Sequence, residues 1–233
     1  MRREMTGVQQ ITTGDARPRG AARYLALLAG CALFAASIGA QAPDPAKMPA
    51  RESHAGLTIA VDPYVERVRV KEKFGKKHPY DANIMPVEVF FKNETNHGIR
   101  VYLEEIRLVI NPPEGGRQRL MPLDFETVIE RTLHEEKGGP EVKKPRVPLP
   151  IPRSGPDRSK EWKKLEENWN AFLLTGDVLP PQSVMRGFLF FDMGRHMDWA
   201  PYARLLVPKL SVIETRQEMF YFEVDFSKAL PKQ

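Results

Sequence analysis

A single cysteine, Cys31, stands among 233 residues, so no intramolecular disulfide can form and no thiolate zinc site can be assembled. Burial alone must hold the core. Charge of one sign is also scarce. The formal net charge of +5 owes much to Arg2, Arg3, Arg17, Arg19 and Arg23, opposed only by Glu4 and Asp15 in the first 40 residues. The remainder is nearly neutral and has no long basic stripe, which argues against a phosphate-backbone partner and hence against nucleic acid. No G-x-S-x-G elbow and no glycine-rich phosphate loop occur: Gly115-Gly116 and Gly138-Gly139 lie in a loop and behind a helix signal. The neighbouring pairs Glu104-Glu105 and Glu135-Glu136 cannot face one another on a strand or a helix. These absences point to a non-enzymatic chain without a cofactor.

Long apolar runs are missing too, with one exception. The uncharged stretch Tyr24 to Ala40 follows Arg23 and precedes QAPDPAKMPA, the basic–apolar–small–polar order of an export signal. The expectation is a signal peptide over residues 1–40, with a mature start at Gln41. Two alternatives stay open. Leu28-Ala29-Gly30-Cys31 matches a lipobox, in which Cys31 would be lipidated, and about 17 apolar residues form a short but conceivable membrane anchor. The run ALFAASIGA, continuing past Cys31, favours cleavage over lipidation. Every version puts the remaining chain outside the cytoplasm: periplasmic or extracellular, or on an outer-membrane lipoprotein. Residues 41–55, rich in proline, alanine and charge, read as a flexible tether, and residues 56–233 as one domain.

What that domain contains is mainly strand signal. In LPPQSVMRGFLFF, Leu179 to Phe191, a proline turn feeds a run in which Phe188 and Phe190 face one way and Leu189 and Phe191 the other, so protein must cover both faces and the strand belongs inside a sheet. Leu57, Ile59 and Val61 alternate with Thr58 and Ala60, and Tyr64 to Val70 reads as a continuation, followed by a lysine-rich loop to Asn83. Val87, Val89 and Phe91 share a face, as do Ile106, Leu108 and Ile110 in the run from Ile99, and NETNHG between the two runs reads as a hairpin turn. Asn93 is formally a glycosylation acceptor, but turn formation explains it better. Arg204 to Glu214 is a strand interrupted by Pro208. Phe220, Phe222, Val224 and Phe226 alternate with polar residues as a half-buried final strand.

Two helices interrupt this pattern. Asp124 caps one in which Phe125, Val128, Ile129 and Leu133 recur at helical spacing; Ser159 caps another with the stripe Trp162, Leu165, Trp169 and Phe172. Between them, prolines at 140, 145, 148, 150, 152 and 156 exclude helix and interior strand and favour an extended connector. The helices and connector read as one insertion at about 123–175, more than a minimal sandwich of about 100 residues needs.

GLTIAVDPY, IMPVEVFFKNET, LPPQSVMRGFLFFD and FYFEVDFS resemble a group of uncharacterised bacterial secreted proteins and lipoproteins with an immunoglobulin-like β-sandwich. The resemblance implies a mainly β fold, an immunoglobulin-like antiparallel β-sandwich carrying the inserted two-helix, proline-rich segment. It implies no activity. The function expected is that of a cell-envelope binding or structural accessory protein, whose partner is an envelope protein or a cell-wall component. A second reading uses the loop after the FLFF strand, where Asp192, His196 and Asp198 fall close enough in sequence to suggest metal ligands. Met193, His196 and Met197 offer a softer, copper(I)-like set.

Overall fold

The computed structural model describes residues 43–135 and 159–230, all within the unit Pro43–Gln233. The stretch read as an export signal, with Cys31, and the proline-rich segment read as a connector lie outside the described residues. Those described are mainly β, in three antiparallel sheets. The central sheet has the order β1 (Arg51–His54), β2 (Leu57–Pro63), β3 (Ile84–Asn93), β8 (Ser183–Asp192). Its spine is the ten-residue pairing of β3 with β8, running in register from Ile84↔Asp192 to Asn93↔Ser183.

One face of this sheet, carrying Ile59, Val61, Val87, Val89, Leu189 and Phe191, is buried against the other two sheets. Those are β10 (Leu210–Val212), β4 (Ile99–Val101), β7 (Val178–Leu179) and β11 (Phe222–Asp225), β9 (Ala203–Val207), β5 (Arg107–Ile110), β6 (Gln118–Leu120). They share a single bent ribbon. The pairing of β5 with β9 stops at a corner and resumes as β4 with β10. Two local causes coincide at the corner: the single turn Leu103–Glu105 on one strand and Pro208, which cannot donate to a ladder, on the other. Tyr102 N–H still donates to Lys209 O (3.4 Å), and the Lys209 ammonium lies over the Tyr102 ring at 4.4 Å.

The opposite face carries Phe188 and Phe190 against three helices, α1 (Arg67–Phe74), α2 (Phe125–Glu135) and α3 (Lys160–Asn170). Asp124 caps α2, accepting from the Thr127 N–H (2.8 Å) and hydroxyl (2.7 Å); Ser159 Oγ caps α3 by accepting from the Trp162 N–H (3.2 Å). Leu165 and Trp169 of the expected stripe are buried, and Trp162 and Phe172 pack beside them. The Trp169 indole N–H donates to Phe74 O (3.1 Å), joining α3 to the end of α1. Among the described residues no helix is long and apolar enough to cross a membrane.

Five expectations need correction. The tether does not extend to residue 55: Arg51–His54 pairs with residues 57–60 of β2 as a hairpin, Arg51↔Ala60 to His54↔Leu57, with Ala50 fully buried. Tyr64 to Val70 is not strand. The alternation in Arg67-Val68-Arg69-Val70 is misleading, because Val70 and Phe74, one helical turn apart, are buried while Val68 is 68% exposed. Arg67 and Arg69 are held by Asp81 and Asp62, and Gly75, at φ 93°, ends the helix where a side chain would be strained. Third, the final strand begins only at Phe222, and Phe220 is 80% exposed.

The fourth correction concerns β8, which is doubly buried as expected but stands at the edge of its sheet, not inside it. The segment after α3 closes that edge. Phe188 N–H donates to Phe172 O (2.8 Å), Leu174 N–H to Phe188 O (3.3 Å) and Leu123 N–H to Phe190 O (2.8 Å). Gly187 makes this approach feasible: a Cβ there would lie 2.5 Å from the Leu174 backbone. The fifth concerns the turn after β3: NETNHG does not close a hairpin, because β3 pairs with β2 and β8 whereas β4, which follows the turn, pairs with β10 and β7 in another sheet. Asn93 is buried, donating to His97 O (2.7 Å) and Pro180 O (3.0 Å) and accepting from Thr95 N–H (2.9 Å).

Candidate functional site

The loop that suggested metal ligands does not gather them. Asp192, the last residue of β8, accepts from the Arg131 guanidinium (2.6 Å) and from the Gly194 N–H (2.9 Å). The Arg131 hydrogen bond holds its carboxyl below the ordinary carboxylate range, against the opposing effect of partial burial. His196 is exposed and stacks on Trp199, centroids 3.8 Å apart and planes 7° from parallel. Asp198 lies in the first turn of the short 3-10 segment Met197–Tyr202. Among the described residues, no group of three or more His, Cys, Asp or Glu is placed to hold a metal ion. The softer set fares no better: Met193 is buried in the sheet-to-sheet core and Met197 packs against that core.

The same 3-10 segment instead forms a wall of an open cleft of about 840 Å³. Ala200 anchors the segment in the core, and Pro201 supplies a fixed φ within it. Glu66 comes from the residue capping α1, Tyr80 from the turn after it, Glu114 from the β5–β6 connection, and Asp198, Trp199 and Tyr202 from the 3-10 segment. Among the described residues, none of those lining the cleft is basic. His196 stacks on Trp199, and the loop at Gly115 passes beside the indole. Carboxylates and aromatic rings around one concavity suit a ligand with a positive charge and some apolar body.

One other cluster of titratable groups is structural. Tyr64 hydroxyl donates to Glu88 Oε2 (3.3 Å), and Arg69 lies 4.0 Å over the Tyr64 ring while paired with Asp62. Burial, and next the nearby Glu88 charge, push the phenol up to about 12, so it stays a neutral donor.

Sequence reasoning placed Asp198 in a polar loop but missed the cleft, because its other walls arrive from segments far apart in the chain. The one local signal was an aromatic pair, Trp199 and Tyr202, flanking Pro201 in a loop. The fold and cleft together define a mainly β chain with a helical layer and one open acidic–aromatic concavity.

No protein-family model matches the chain, and no curated protein matches it. A solved structure, described as a functionally unknown protein from Listeria monocytogenes EGD-e, is 12% identical, with 68% of each chain covered and a TM-score of 0.30. At that score the likeness carries no argument about this chain.

Proposed function

We propose that this chain is a non-enzymatic binding domain of the cell envelope, an immunoglobulin-like sandwich with a helical insertion, and that it docks its partner in the acidic–aromatic cleft. The partner is an envelope protein or a cell-wall component that presents a cationic group. The observation that carries the reading is the lining of the cleft: Glu66, Glu114 and Asp198 with Tyr80, Trp199 and Tyr202, brought together from separate segments on a sheet framework. Two antiparallel layers sharing one core support the sandwich, and the basic–apolar–small order of the first 40 residues supports export. The metal-binding alternative is the weaker one, since Asp192 is already held by Arg131 and Gly194.

Two measurements test this. Titration of the domain with a lysine-bearing cell-wall peptide, followed by Trp199 fluorescence and backbone NMR shifts, should perturb Tyr80, Trp199 and Tyr202. The double change Glu114→Gln with Asp198→Asn should abolish the response. Shifts confined to another surface, or an unchanged response in the double variant, would refute the cleft assignment. Mass spectrometry of the amino terminus from an envelope fraction tests export: Gln41 supports cleavage, a lipidated Cys31 the lipoprotein alternative, and a chain beginning at Met1 neither.

A further inference from the structure

We infer that His78 is an acid-sensitive latch that keeps the helical layer closed on the central sheet. The imidazole is 2% exposed, and its Nδ1 has no hydrogen-bond partner among the described residues. Nε2 stands 3.6 Å from Asp81 Oδ2, but that carboxylate is already engaged by the Arg67 guanidinium in two hydrogen bonds, at 2.9 and 3.2 Å. A neutral ring fits this place. A second ring proton would put a charge into this buried place, near Arg67 and Lys71 of α1, with Asp81 and the local backbone the groups that offset it.

The position matters because His78 begins the turn Pro79–Ala82, to which α1 and α2 are tied directly, and follows Lys77, which reaches α3. From α1, Arg67 binds Asp81; from α2, Arg131 donates to Ala82 O (3.2 Å) as well as to Asp192; and beside the turn Lys77 binds Glu161 of α3 (3.1 Å). The Tyr80 ring lies 6.5 Å from the imidazole. Charging His78 therefore acts on the short stretch 77–82, which carries a contact to each helix. Burial and the neighbouring cations hold the imidazole below its ordinary range, with Asp81 opposing. The sign follows. An opened turn takes up a proton near pH 6.5 while the closed turn does not, so opening becomes more favourable as pH falls below that value. Tyr80 also lines the cleft, so acid loosens one cleft wall; that consequence rests on the cleft reading, whereas the test below does not.

Hydrogen exchange of the native protein, expressed as protection so that intrinsic rates cancel, tests the latch at pH 7.5 and 5.5. Peptides spanning Tyr64–Asn83 should lose protection, by up to about tenfold for one proton taken up on opening, while β3 and β8 keep theirs. His78→Gln, which cannot charge, should show equal protection at the two pH values. If that variant fails to fold, NMR titration of the wild-type imidazole decides the matter against the midpoints of a histidine peptide and of the urea-unfolded chain, ordinarily about 6.5. A midpoint clearly below theirs supports the latch. A midpoint at or above theirs, or an equal acid response in His78→Gln, overturns it.

Discussion

The two faces of the central sheet solve the burial problem differently. Toward the other sheets, the contacts are mainly aliphatic, Ile59, Val61, Val87, Val89 and Leu189, with Phe91 and Phe191 among them. Toward the helices they are aromatic: Phe74 meets Trp169, Phe188, Phe190 and Phe172 edge to face, with centroids 5.1–6.0 Å apart. The contrast follows from what each layer can do alone. Long ladders such as β3 with β8 satisfy the backbone over ten residues, so modest side chains suffice to join the sheets. Helices of 8 and 11 residues are too short to persist in water, so large rings must supply their stability through contact.

The largest effect that would sharpen this comparison comes from truncating one ring on each face. Phe91→Ala and Phe190→Ala should each cost about 3–5 kcal/mol in denaturant titration. They should differ in where protection is lost: the Phe190 variant should lose exchange protection first in α1 and α3, the Phe91 variant everywhere together. Identical loss maps would mean that the faces form one cooperative unit. Next comes Gly187→Ala, whose new methyl must push the Leu174 backbone aside, with an expected cost of about 1–3 kcal/mol. A neutral outcome by thermal unfolding would show that the edge-covering segment yields freely.

Asp124→Ala removes the cap of α2 and should cost about 1 kcal/mol, again with the helical layer loosening ahead of the sheets. The smallest effect concerns Asp192, whose side chain is 41% exposed and whose pairing with Arg131 ties α2 to the end of β8. Its carboxyl lies below the ordinary range in the folded state, so it adds stability above about pH 4 that is lost as pH falls further. With solvent screening, Asp192→Asn should cost no more than about 1 kcal/mol at pH 7. Unfolding midpoints of both proteins should draw together as pH falls below about 4, in acid where Asp192 is protonated even in the folded state. A gap that persists there would assign the effect to packing.

Several parts of this architecture were legible before any coordinates. Phe188 to Phe191 announced two covered faces, since four consecutive bulky apolar residues leave no wet side, and both helix caps were readable because Asp124 and Ser159 precede regular apolar stripes. What remained hidden has a common physical origin in long-range pairing. Arg51–His54 looks like linker by composition and becomes strand only because β2 offers it a partner. Val70 and Phe74 were masked by the alternating Arg-Val pair before them. The corner at Tyr102 and Lys209 needs two distant breaks to coincide, which neither run discloses alone. The cleft was the least legible feature, since Glu66, Glu114 and Tyr202 have no meaning as a group until the sheets bring them together.

The strip from Phe172 to Leu174 has a bearing on how this protein behaves in a crowded compartment. It and Leu123 occupy the outer hydrogen-bonding positions of β8 at Phe188 and Phe190. Were they lifted, an uncharged Phe-Leu-Phe-Phe edge would be offered to any passing strand, including the same strand of another copy. Colloidal behaviour is then governed by local undocking of this strip and not by global unfolding. A variant can keep its melting temperature yet self-associate, and small clusters seeded by β8 are the form that failure would take.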